Sequence, residues 1–264
     1  MSGIIKANNL TKKFGDFVAV DDITFEVEKA EIFAFLGPNG AGKSTTIKML
    51  TTLLVPTSGE LSLAGYDVMH DQENVRKSFG IVFQDPSVDD ELTAYENMEL
   101  HAVLYGMSRG SAKSHIHELL KLVDLWERKD HRVRQFSGGM KRRLEIARGF
   151  LHSPKILFLD EPTIGLDTQT RTLLWDYVKK INKQNGTTIF FTTHYLEEAE
   201  AVAQRISIID HGKIISSGTS KQLEKQTGTT SLEEAYLALT GREIRDEEAN
   251  SSDRMRLRNR ARRR

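Results

Sequence analysis

The segment IFAFLGPNGAGKSTTIKML, residues 32–50, carries the strongest signal of fold in this 264-residue chain. Five apolar residues precede a glycine-rich loop, and apolar residues at helical spacing follow it, which predicts a strand, a loop and a helix. Gly37, Gly40 and Gly42 allow backbone angles that turn successive N–H groups toward phosphate oxygens, and the positive end of the helix faces the same oxygens. An ordinary strand-to-helix turn is the alternative, which the flanking strand and helix disfavour. The segment therefore predicts a nucleoside triphosphate site.

The loop and the first helical turn supply the predicted nucleotide contacts. Lys43 is expected to reach the β- and γ-phosphates, and the Ser44 hydroxyl can ligate Mg²⁺. The predicted ATP contacts are Gly37, Pro38, Asn39, Gly40, Ala41, Gly42, Lys43, Ser44 and Thr45.

A second acidic site is predicted in KILFLDEPTIGLD, residues 155–167, where an apolar strand ends in two carboxylates. A strand buried on both faces brings its last residues to the carboxyl edge of the sheet, where the phosphate loop also lies. Asp160 is expected to hold Mg²⁺ through water, and Glu161 can polarise the attacking water as a general base. Solvated charges at the end of a strand are the alternative, which the neighbouring phosphate loop disfavours.

Two polar residues end two further apolar runs, His194 after TTIFFTT and Gln84 after FGIVF. At the same sheet edge, His194 can donate to a γ-phosphate or orient the water. Gln84 can coordinate Mg²⁺ or the water through its carbonyl oxygen. Each is an ordinary structural residue when it is considered alone. Together the pattern predicts a catalytic group of Glu161, His194 and Gln84, and metal ligands Ser44, Gln84 and Asp160.

Composition is that of an ordinary globular protein, with 39% hydrophobic and 28% charged residues. The absence of cysteine argues against a disulfide framework and favours a reducing compartment. No run approaches eighteen apolar residues, and the first ten residues lack the apolar stretch of a signal peptide. We therefore expect any link to a membrane to go through a partner.

Short apolar runs alternate with amphipathic stretches, which is typical of an α/β domain with a largely parallel sheet. The predicted buried strands are Ile32–Leu36, Ile81–Phe83, Ile156–Leu159 and Thr188–Phe191. The segments up to Val27, Leu61–Ala64 and Ile206–Ile215 are predicted to form flanking antiparallel strands. Between Pro86 and Pro154 the apolar residues recur at helical spacing, so this stretch is predicted to be an all-helical insertion.

A second glycine-rich segment, FSGGMKRRLEIARG at residues 136–149, also opens a predicted helix. A serine hydroxyl, glycine N–H groups and a helix start can bind an anion, although an ordinary capped helix is the alternative. We interpret Lys141, Arg142 and Arg143 as a solvated or domain-packing face of this helix.

Taken together, these motifs resemble the ATP-binding cassette (ABC) family. The matching segments are GPNGAGKST (Walker A), Gln84 (Q-loop), FSGGM (signature), ILFLDE (Walker B), GLD at 165–167 (D-loop) and His194 (H-loop). Their order and spacing match across roughly residues 4–218. FQDPSVDDELTAYENMELHAVLYG and SLEEAYLALTGR further resemble the ATPase subunits of daunorubicin-type drug-resistance exporters.

The resemblance implies an α/β fold: a P-loop NTPase core with a mostly parallel sheet, an antiparallel β flank and an inserted helical subdomain. The cassette is expected to span residues 1–218. Its core would comprise 1–84 and 154–218, and its helical subdomain 85–153. A helical extension is expected at 219–243, followed by a charged, disordered tail at 244–264.

The resemblance also implies two kinds of nucleotide contact beyond the phosphate loop. Phe14 is expected to stack on adenine, with Phe17 as a less favoured substitute; packing of both rings under the β flank is the alternative. Two chains are expected to face each other head to tail, so that the signature of one covers the γ-phosphate bound by the other. The residues implied in this second contact are Ser137, Gly138, Gly139, Met140 and Asp167. Met140 departs from the family, in which Gln is commonest.

The function implied is ATP hydrolysis that drives separate integral membrane permease subunits, on the cytoplasmic face of the cell membrane. The subfamily resemblance favours export of a drug, lipid or glycan, with contact near Gln84–Leu92. The ATPase subunits would form a homodimer or a heterodimer. A non-transport ABC ATPase that acts on nucleic acid or in assembly is the alternative; a single cassette with a short insertion disfavours it.

The last fourteen residues, SSDRMRLRNRARRR, carry a net charge of +6, which balances −6 on the rest of the chain. A disordered, solvated terminus is the favoured interpretation. Attraction to an anionic membrane surface is the next, and no nucleic-acid partner is expected.

Overall fold

The computed structural model describes residues 3–241 of the chain. Ten strands lie in this range: β1 Ile5–Phe14, β2 Phe17–Val27, β3 Ile32–Leu36, β4 Ser58–Leu63, β5 Tyr66–Asp67, β6 Phe79–Val82, β7 Ile156–Asp160, β8 Thr188–Thr193, β9 Arg205–Asp210 and β10 Lys213–Gly218. The same range holds nine α-helices: α1 Lys43–Leu50, α2 Gln72–Ser78, α3 Ala94–Leu104, α4 Arg109–Leu122, α5 Gly138–Phe150, α6 Thr168–Asn185, α7 Leu196–Val202, α8 Ser220–Thr227 and α9 Leu232–Thr240.

The central sheet has six strands in the order β10-β9-β3-β8-β7-β6, and every pair except β10–β9 is parallel. Each residue of β3, β7 and β8 is buried, as expected for strands that are covered on both faces. Because parallel strands end at the same edge, the segments that follow β3, β6, β7 and β8 meet there. The phosphate loop, Gln84, Glu161 and His194 lie in those segments, and Asp160 is the last residue of β7; Phe14 and the signature residues lie elsewhere.

An antiparallel sheet of order β2-β1-β4-β5 covers one face of the central sheet. Phenylalanine side chains from both sheets form the contact between them. The Phe33 and Phe190 rings lie 5.3 Å apart between centroids, and Phe25 of β2 stacks against Phe33 at 6.1 Å. These aromatic contacts join the antiparallel flank to the core that carries the phosphate loop.

Helices cover the opposite face of the central sheet, with apolar side chains from α5 to α9 packed on it. Trp175 of α6, for example, lies 4.6 Å from Phe191 of β8 between ring centroids. Helix α5 approaches β6 so closely that a Cβ at Gly80 would lie 2.0 Å from the Gly149 carbonyl oxygen. This close packing connects the signature helix directly to the strand that precedes Gln84.

Residues 86–154 contain α3, α4 and α5 and no strand; their one β interaction is an isolated bridge between Thr93 and Arg132. The Thr93 side chain accepts a hydrogen bond from Glu96 N–H, and the Glu96 side chain accepts one from Thr93 N–H, so a capping box starts α3. The three helices bury a separate apolar cluster that includes Met98, Ile116 and Leu144.

The predicted fold class is confirmed, but the strand prediction for Ile206–Ile215 is partly wrong. Strand β9 belongs to the central sheet and pairs in parallel with β3, with Phe33 opposite Arg205. Only β10 is antiparallel to its neighbour. The chain reverses at His211-Gly212, where both residues have positive φ, +46° and +77°, as a tight type I′ hairpin requires. The two apolar runs on either side of this turn are therefore separate strands with different pairing.

Helices α8 and α9 lie within the segment that was predicted as a helical extension. The boundaries between core, helical subdomain and extension stay predictions. The charged tail predicted at 244–264 lies outside the described residues.

Candidate active site

The phosphate loop connects β3 to α1 in the conformation that its glycines permit. Gly40 and Gly42 have φ of +82° and +105°. A Cβ at Gly42 would also lie 2.6 Å from the Ala19 carbonyl oxygen, so a side chain is excluded by both angle and space. Asn39 and Gly40 form the exposed tip of the loop, whereas Ala41 is buried and Thr45 half-buried.

Lys43 begins α1 and points its ammonium group back into the loop. Its Nζ donates to the carbonyl oxygens of Gly37 at 2.7 Å and Pro38 at 3.1 Å. The same atom lies 3.0 Å from Glu161 Oε1. The residue is only 4% exposed, so this charge is desolvated and tightly surrounded by oxygen atoms.

Asp160, the last residue of β7, joins three elements through one carboxylate oxygen. Asp160 Oδ1 accepts hydrogen bonds from Ser44 Oγ of α1 at 3.1 Å and from Thr192 Oγ1 of β8 at 2.7 Å. Burial raises the pKa of Asp160, although these two hydrogen bonds act in the opposite direction. The predicted ligands Ser44 and Asp160 are therefore in direct contact.

Glu161 lies between two of the predicted functional residues. One carboxylate oxygen pairs with Lys43, and Oε2 lies 3.0 Å from His194 Nδ1. Burial alone would raise the pKa of Glu161, but the hydrogen bond to His194 and the Lys43 charge together bring it below its ordinary value. The carboxylate is consequently ionised at neutral pH.

The backbone of Glu161 is held in an unusual conformation. Its φ is +47°, in the left-handed region that residues with a side chain seldom adopt. Its N–H donates to Thr192 Oγ1 at 3.0 Å. This backbone turn follows directly on the buried strand β7.

His194 follows β8 and is mostly buried, with its ring 4.0 Å from that of Tyr195 between centroids. Because an ionised carboxylate can only accept, Nδ1 is the donor toward Glu161. Nε2 then remains for other partners. The structure thus brings Lys43, Asp160, Glu161 and His194 together, from three different chain segments.

Gln84 and Phe14 are both exposed. Gln84 lies two residues beyond β6, at the same sheet edge. Phe14 ends β1 opposite Phe17, and the two side chains are 47% and 64% exposed, so the alternative in which both pack under the β flank is wrong. The Lys12 ammonium lies 5.1 Å from the Phe14 ring centroid. The assigned roles of Gln84 and Phe14 stay predictions.

The signature segment forms the start of α5 on the surface. Ser137 is the N-cap residue, and its Oγ accepts a hydrogen bond from Met140 N–H at 3.3 Å. Ser137 and Gly138 are exposed. Met140 is half-buried and packs against the apolar cluster of α3, α4 and α5. An apolar thioether suits this packing.

Asp167 lies beside the signature, because the starts of α5 and α6 are adjacent. Its carboxylate caps α6 by accepting from Thr170 N–H at 2.9 Å and Thr170 Oγ1 at 2.7 Å. A Cβ at Gly139 would lie 2.5 Å from Thr170 Cγ2. The two segments predicted to contact a second chain's nucleotide therefore share one surface.

Two buried charged networks escaped the sequence analysis. Arg142 is 7% exposed and contacts Glu145 and four backbone carbonyl groups at the sheet edge, so for this residue the domain-packing alternative is right and the solvated face is wrong. Glu198 accepts hydrogen bonds from the Thr163 and Thr193 hydroxyls and lies 3.3 Å from Arg171 Nε. The available signal was helical spacing: Arg142, Glu145 and Gly149 lie on one face of α5 with Ile146.

A glycine loop around a buried lysine, with an Asp-Glu pair and a histidine at the same sheet edge, defines a P-loop nucleoside triphosphatase. The family profile described as ABC transporter matches residues 20–164. Doxorubicin resistance ATP-binding protein DrrA of Mycobacterium tuberculosis is 40% identical over 249 residues, which cover 94% of this chain and 73% of that protein. The chain belongs to the ABC transporter family.

Other relatives agree with this membership. Nod factor export ATP-binding protein I of Cupriavidus metallidurans is 39% identical over 84% of this chain and 73% of its own length. A dimeric, post-hydrolysis structure of the ATP-binding cassette MJ0796, bound to ADP and Pi, superposes with a TM-score of 0.73 at 29% identity, covering 81% of this chain and 98% of that one. The expectation of an ATP-hydrolysing transporter subunit is confirmed, rather than the non-transport alternative. Among residues 3–241, no helix is long and apolar enough to cross a membrane.

Proposed function

We propose that Glu161 is the general base that activates the water attacking the γ-phosphate of ATP. The observation that carries this proposal is the pair of 3.0 Å contacts from its carboxylate to Lys43 and His194. A γ-phosphate that takes up the Lys43 donors releases one oxygen of Glu161 for the water. The proton passes from the water to Glu161 as the oxygen attacks phosphorus, and ADP leaves. His194 orients the carboxylate and the γ-phosphate.

The oxygen atoms beside Glu161 fit a magnesium ion. Ser44 Oγ and Asp160 Oδ1 are 3.1 Å apart, and a hydroxyl, one carboxylate and an amide oxygen from Gln84 are the hard ligands that Mg²⁺ accepts while it retains several waters. Residues 3–241 hold no cluster of three or more His, Cys, Asp or Glu side chains that would favour another metal site. When bound, Mg²⁺ neutralises charge on the β- and γ-phosphates.

Adenine and the second subunit complete the proposed site. The exposed Phe14 ring is available to stack on adenine, and the exposed start of α5 offers N–H groups and the Ser137 hydroxyl to a γ-phosphate held by another chain. Asp167 lies beside this surface and takes part in the same contact. We infer a head-to-tail dimer of ATPase subunits, homomeric or heteromeric, with two shared ATP sites. That the similar cassette MJ0796 is a dimer supports the dimeric state of this proposal.

The membrane partner is proposed to bind next to α3. Leu100, Val103 and Leu104 of this helix are 51%, 74% and 73% exposed, and a groove of about 690 Å³ lies between α3 and α4. An exposed apolar patch of this kind suits an apolar segment of an integral membrane permease. The groove includes Leu92 and thus adjoins the predicted contact region Gln84–Leu92.

We propose export of a drug, lipid or glycan, with this subunit on the cytoplasmic face of the cell membrane. The functions named for these relatives, doxorubicin resistance and Nod factor export, support the direction and the substrate class. The division into core 1–84 and 154–218, helical subdomain 85–153 and extension 219–243 belongs to the same proposal.

Glu161→Gln tests the proposed chemistry. The amide keeps the shape of the side chain but cannot accept the proton, so we expect ATP to bind, turnover to fall by about 10²- to 10⁴-fold and an ATP-bound dimer to accumulate. Steady-state ATPase rates and size-exclusion chromatography with ATP measure both effects. Glu197→Gln, at an exposed carboxylate in the first turn of α7, is the matched control. Undiminished hydrolysis by Glu161→Gln would remove Glu161 from the chemistry.

A further inference from the structure

We propose that Arg142 is a positioning residue that holds the Glu161 backbone in its reactive conformation and, with Glu145, ties it to residues 83–87 around Gln84. This inference rests on the proposed role of Glu161 as general base. It assigns a function to a buried cation on the signature helix that touches none of the predicted nucleotide contacts.

The guanidinium group of Arg142 donates to backbone carbonyls at the ends of two strands. Nε donates to Pro162 O at 2.6 Å, and Nη2 to Glu161 O at 3.2 Å and Asp160 O at 3.4 Å. Nη1 donates to Phe83 O, directly before Gln84. The planar, forked shape of the guanidinium allows it to serve four carbonyls at once.

These bonds hold a strained residue. The left-handed backbone of Glu161, with φ of +47°, is unfavourable for a residue with a side chain and persists only where its surroundings fix it. Thr192 Oγ1 accepts from its N–H on one side, and Arg142 donates to its carbonyl on the other. Without Arg142, the carbonyl side is free to relax, and the carboxylate moves away from Lys43 and His194.

Glu145 extends the contact to the Q-loop. Its Oε2 lies 3.1 Å from Arg142 Nη1, and its Oε1 accepts from Ser87 N–H at 2.6 Å and Ser87 Oγ at 3.2 Å. Arg142 and Glu145 are both buried on α5, the helix that begins with the signature. A displacement of residues 83–87 therefore acts on Glu161 and on the signature helix through the same pair of side chains.

Arg142→Lys separates positioning from simple packing. The ammonium can keep the ion pair with Glu145, but a single nitrogen cannot reach four carbonyls. Because a shift of about 1 Å in a catalytic group can cost about 10²-fold, we expect kcat to fall by about 10- to 100-fold with KM within about threefold. The ATP-bound dimer should accumulate as it does in Glu161→Gln, because the signature surface is intact.

Arg148→Lys is the matched control. Arg148 lies on the same helix and donates to Ser87 O at 2.8 Å, but none of its hydrogen bonds goes to residues 160–162. Its kcat should stay within about threefold of the unmodified protein, in keeping with the small effects usual for substitutions away from reacting groups.

Three results would overturn the inference. The first is an Arg142→Lys variant with unchanged kcat. The second is a loss of kcat accompanied by an equal loss of ATP-dependent dimer and a lower melting temperature, which means packing alone. The third is a normal kcat in the double variant Arg142→Met/Glu145→Leu. This variant replaces the buried charge pair by apolar side chains, a kind of change that proteins often tolerate, so it should fold. If instead Glu161→Gln hydrolyses ATP normally, the proposed function fails rather than the role of Arg142 in holding the backbone.

Discussion

The phosphate loop and the signature segment are both glycine-rich starts of helices, yet they are built in opposite ways. The phosphate loop is closed by its own chain: Gly42 has φ of +105°, and Lys43 is buried among two carbonyls and Glu161. The signature is open, since Ser137 and Gly138 are exposed and Gly138 has an ordinary negative φ. One segment is enclosed by its own chain, and the other presents its start to the surface.

The glycines of the two segments serve different needs. Gly42 is required by its backbone angle, and Gly139 by its close approach to Thr170. A Cβ at Gly138, in contrast, would meet no atom of residues 3–241 within 4 Å. Nothing in the described part of this chain demands a glycine there, whereas a closely approaching second chain would. The comparison therefore supports a site shared between two subunits.

Mixing two inactive variants is the most severe test of whether the phosphate loop and the signature form one site between two subunits. Lys43→Ala removes the cation of the phosphate loop, and Ser137→Arg blocks the signature segment. Each substitution should lower ATPase activity by about 10²- to 10³-fold. In a one-to-one mixture, half of the dimers pair the intact loop of one variant with the intact signature of the other. About a quarter of the shared sites should then be active if the dimer is symmetric. Coupled ATPase assays over a range of mixing ratios measure this restoration.

Nucleotide binding supplies the internal control for that mixture. Ser137→Arg should still bind ATP as a monomer, because its own phosphate loop is intact, while Lys43→Ala should bind ATP weakly. Fluorescent-nucleotide titration distinguishes the two. If no mixing ratio restores activity although both variants are folded, the signature does not serve a second chain's nucleotide.

Alanine at the buried Gly42 and alanine at the exposed Gly138 should give opposite results. Gly42→Ala forces a side chain into a left-handed conformation 2.6 Å from Ala19 O, so we expect a loss of about 1–3 kcal/mol in the free energy of unfolding. Gly138→Ala should keep or slightly raise stability, by up to about 1 kcal/mol, because alanine favours the helix. Its Cβ should nevertheless weaken the ATP-dependent dimer.

Chemical denaturation and size-exclusion chromatography with ATP measure these two effects separately. A Gly138→Ala variant that dimerises normally would mean that the open surface at Gly138 is not covered by a second subunit. A stable Gly42→Ala variant would mean that the loop can adopt another conformation.

The site around the phosphate loop was largely predictable from the sequence, because its residues follow apolar runs that end at one sheet edge. The sequence alone predicts that Asp160, Glu161 and His194 lie close together, since parallel strands end at one edge of the sheet. The parallel pairing of β9 with β3 could not be predicted, because an apolar run does not show which strand it pairs with. The turn at His211-Gly212 was the only local signal, and it is a weak one.

The burial of Arg142 could not be predicted from the sequence, for a different reason. It sits in the run KRR, where three adjacent cations have three different environments: Lys141 pairs with Asp90, Arg143 donates to Val123 O, and Arg142 is buried. Helical spacing gives the relative directions of the three side chains. It does not tell which direction faces the carbonyls at the ends of β6 and β7, because that depends on how α5 packs on the sheet.

Met140→Gln should have the smallest effect and tests how the open segment binds. The half-buried thioether packs on the cluster of α3, α4 and α5, so a polar amide should cost about 1 kcal/mol of stability at most. If the backbone N–H groups and Ser137 supply the contact, ATPase activity should stay within about threefold. Met140→Ala, which loses the packing without gaining an amide, is the control. A large gain in dimer affinity for Met140→Gln alone would show that an amide at this position reaches the second chain's nucleotide; a total loss of activity would show that the thioether itself is needed at the interface.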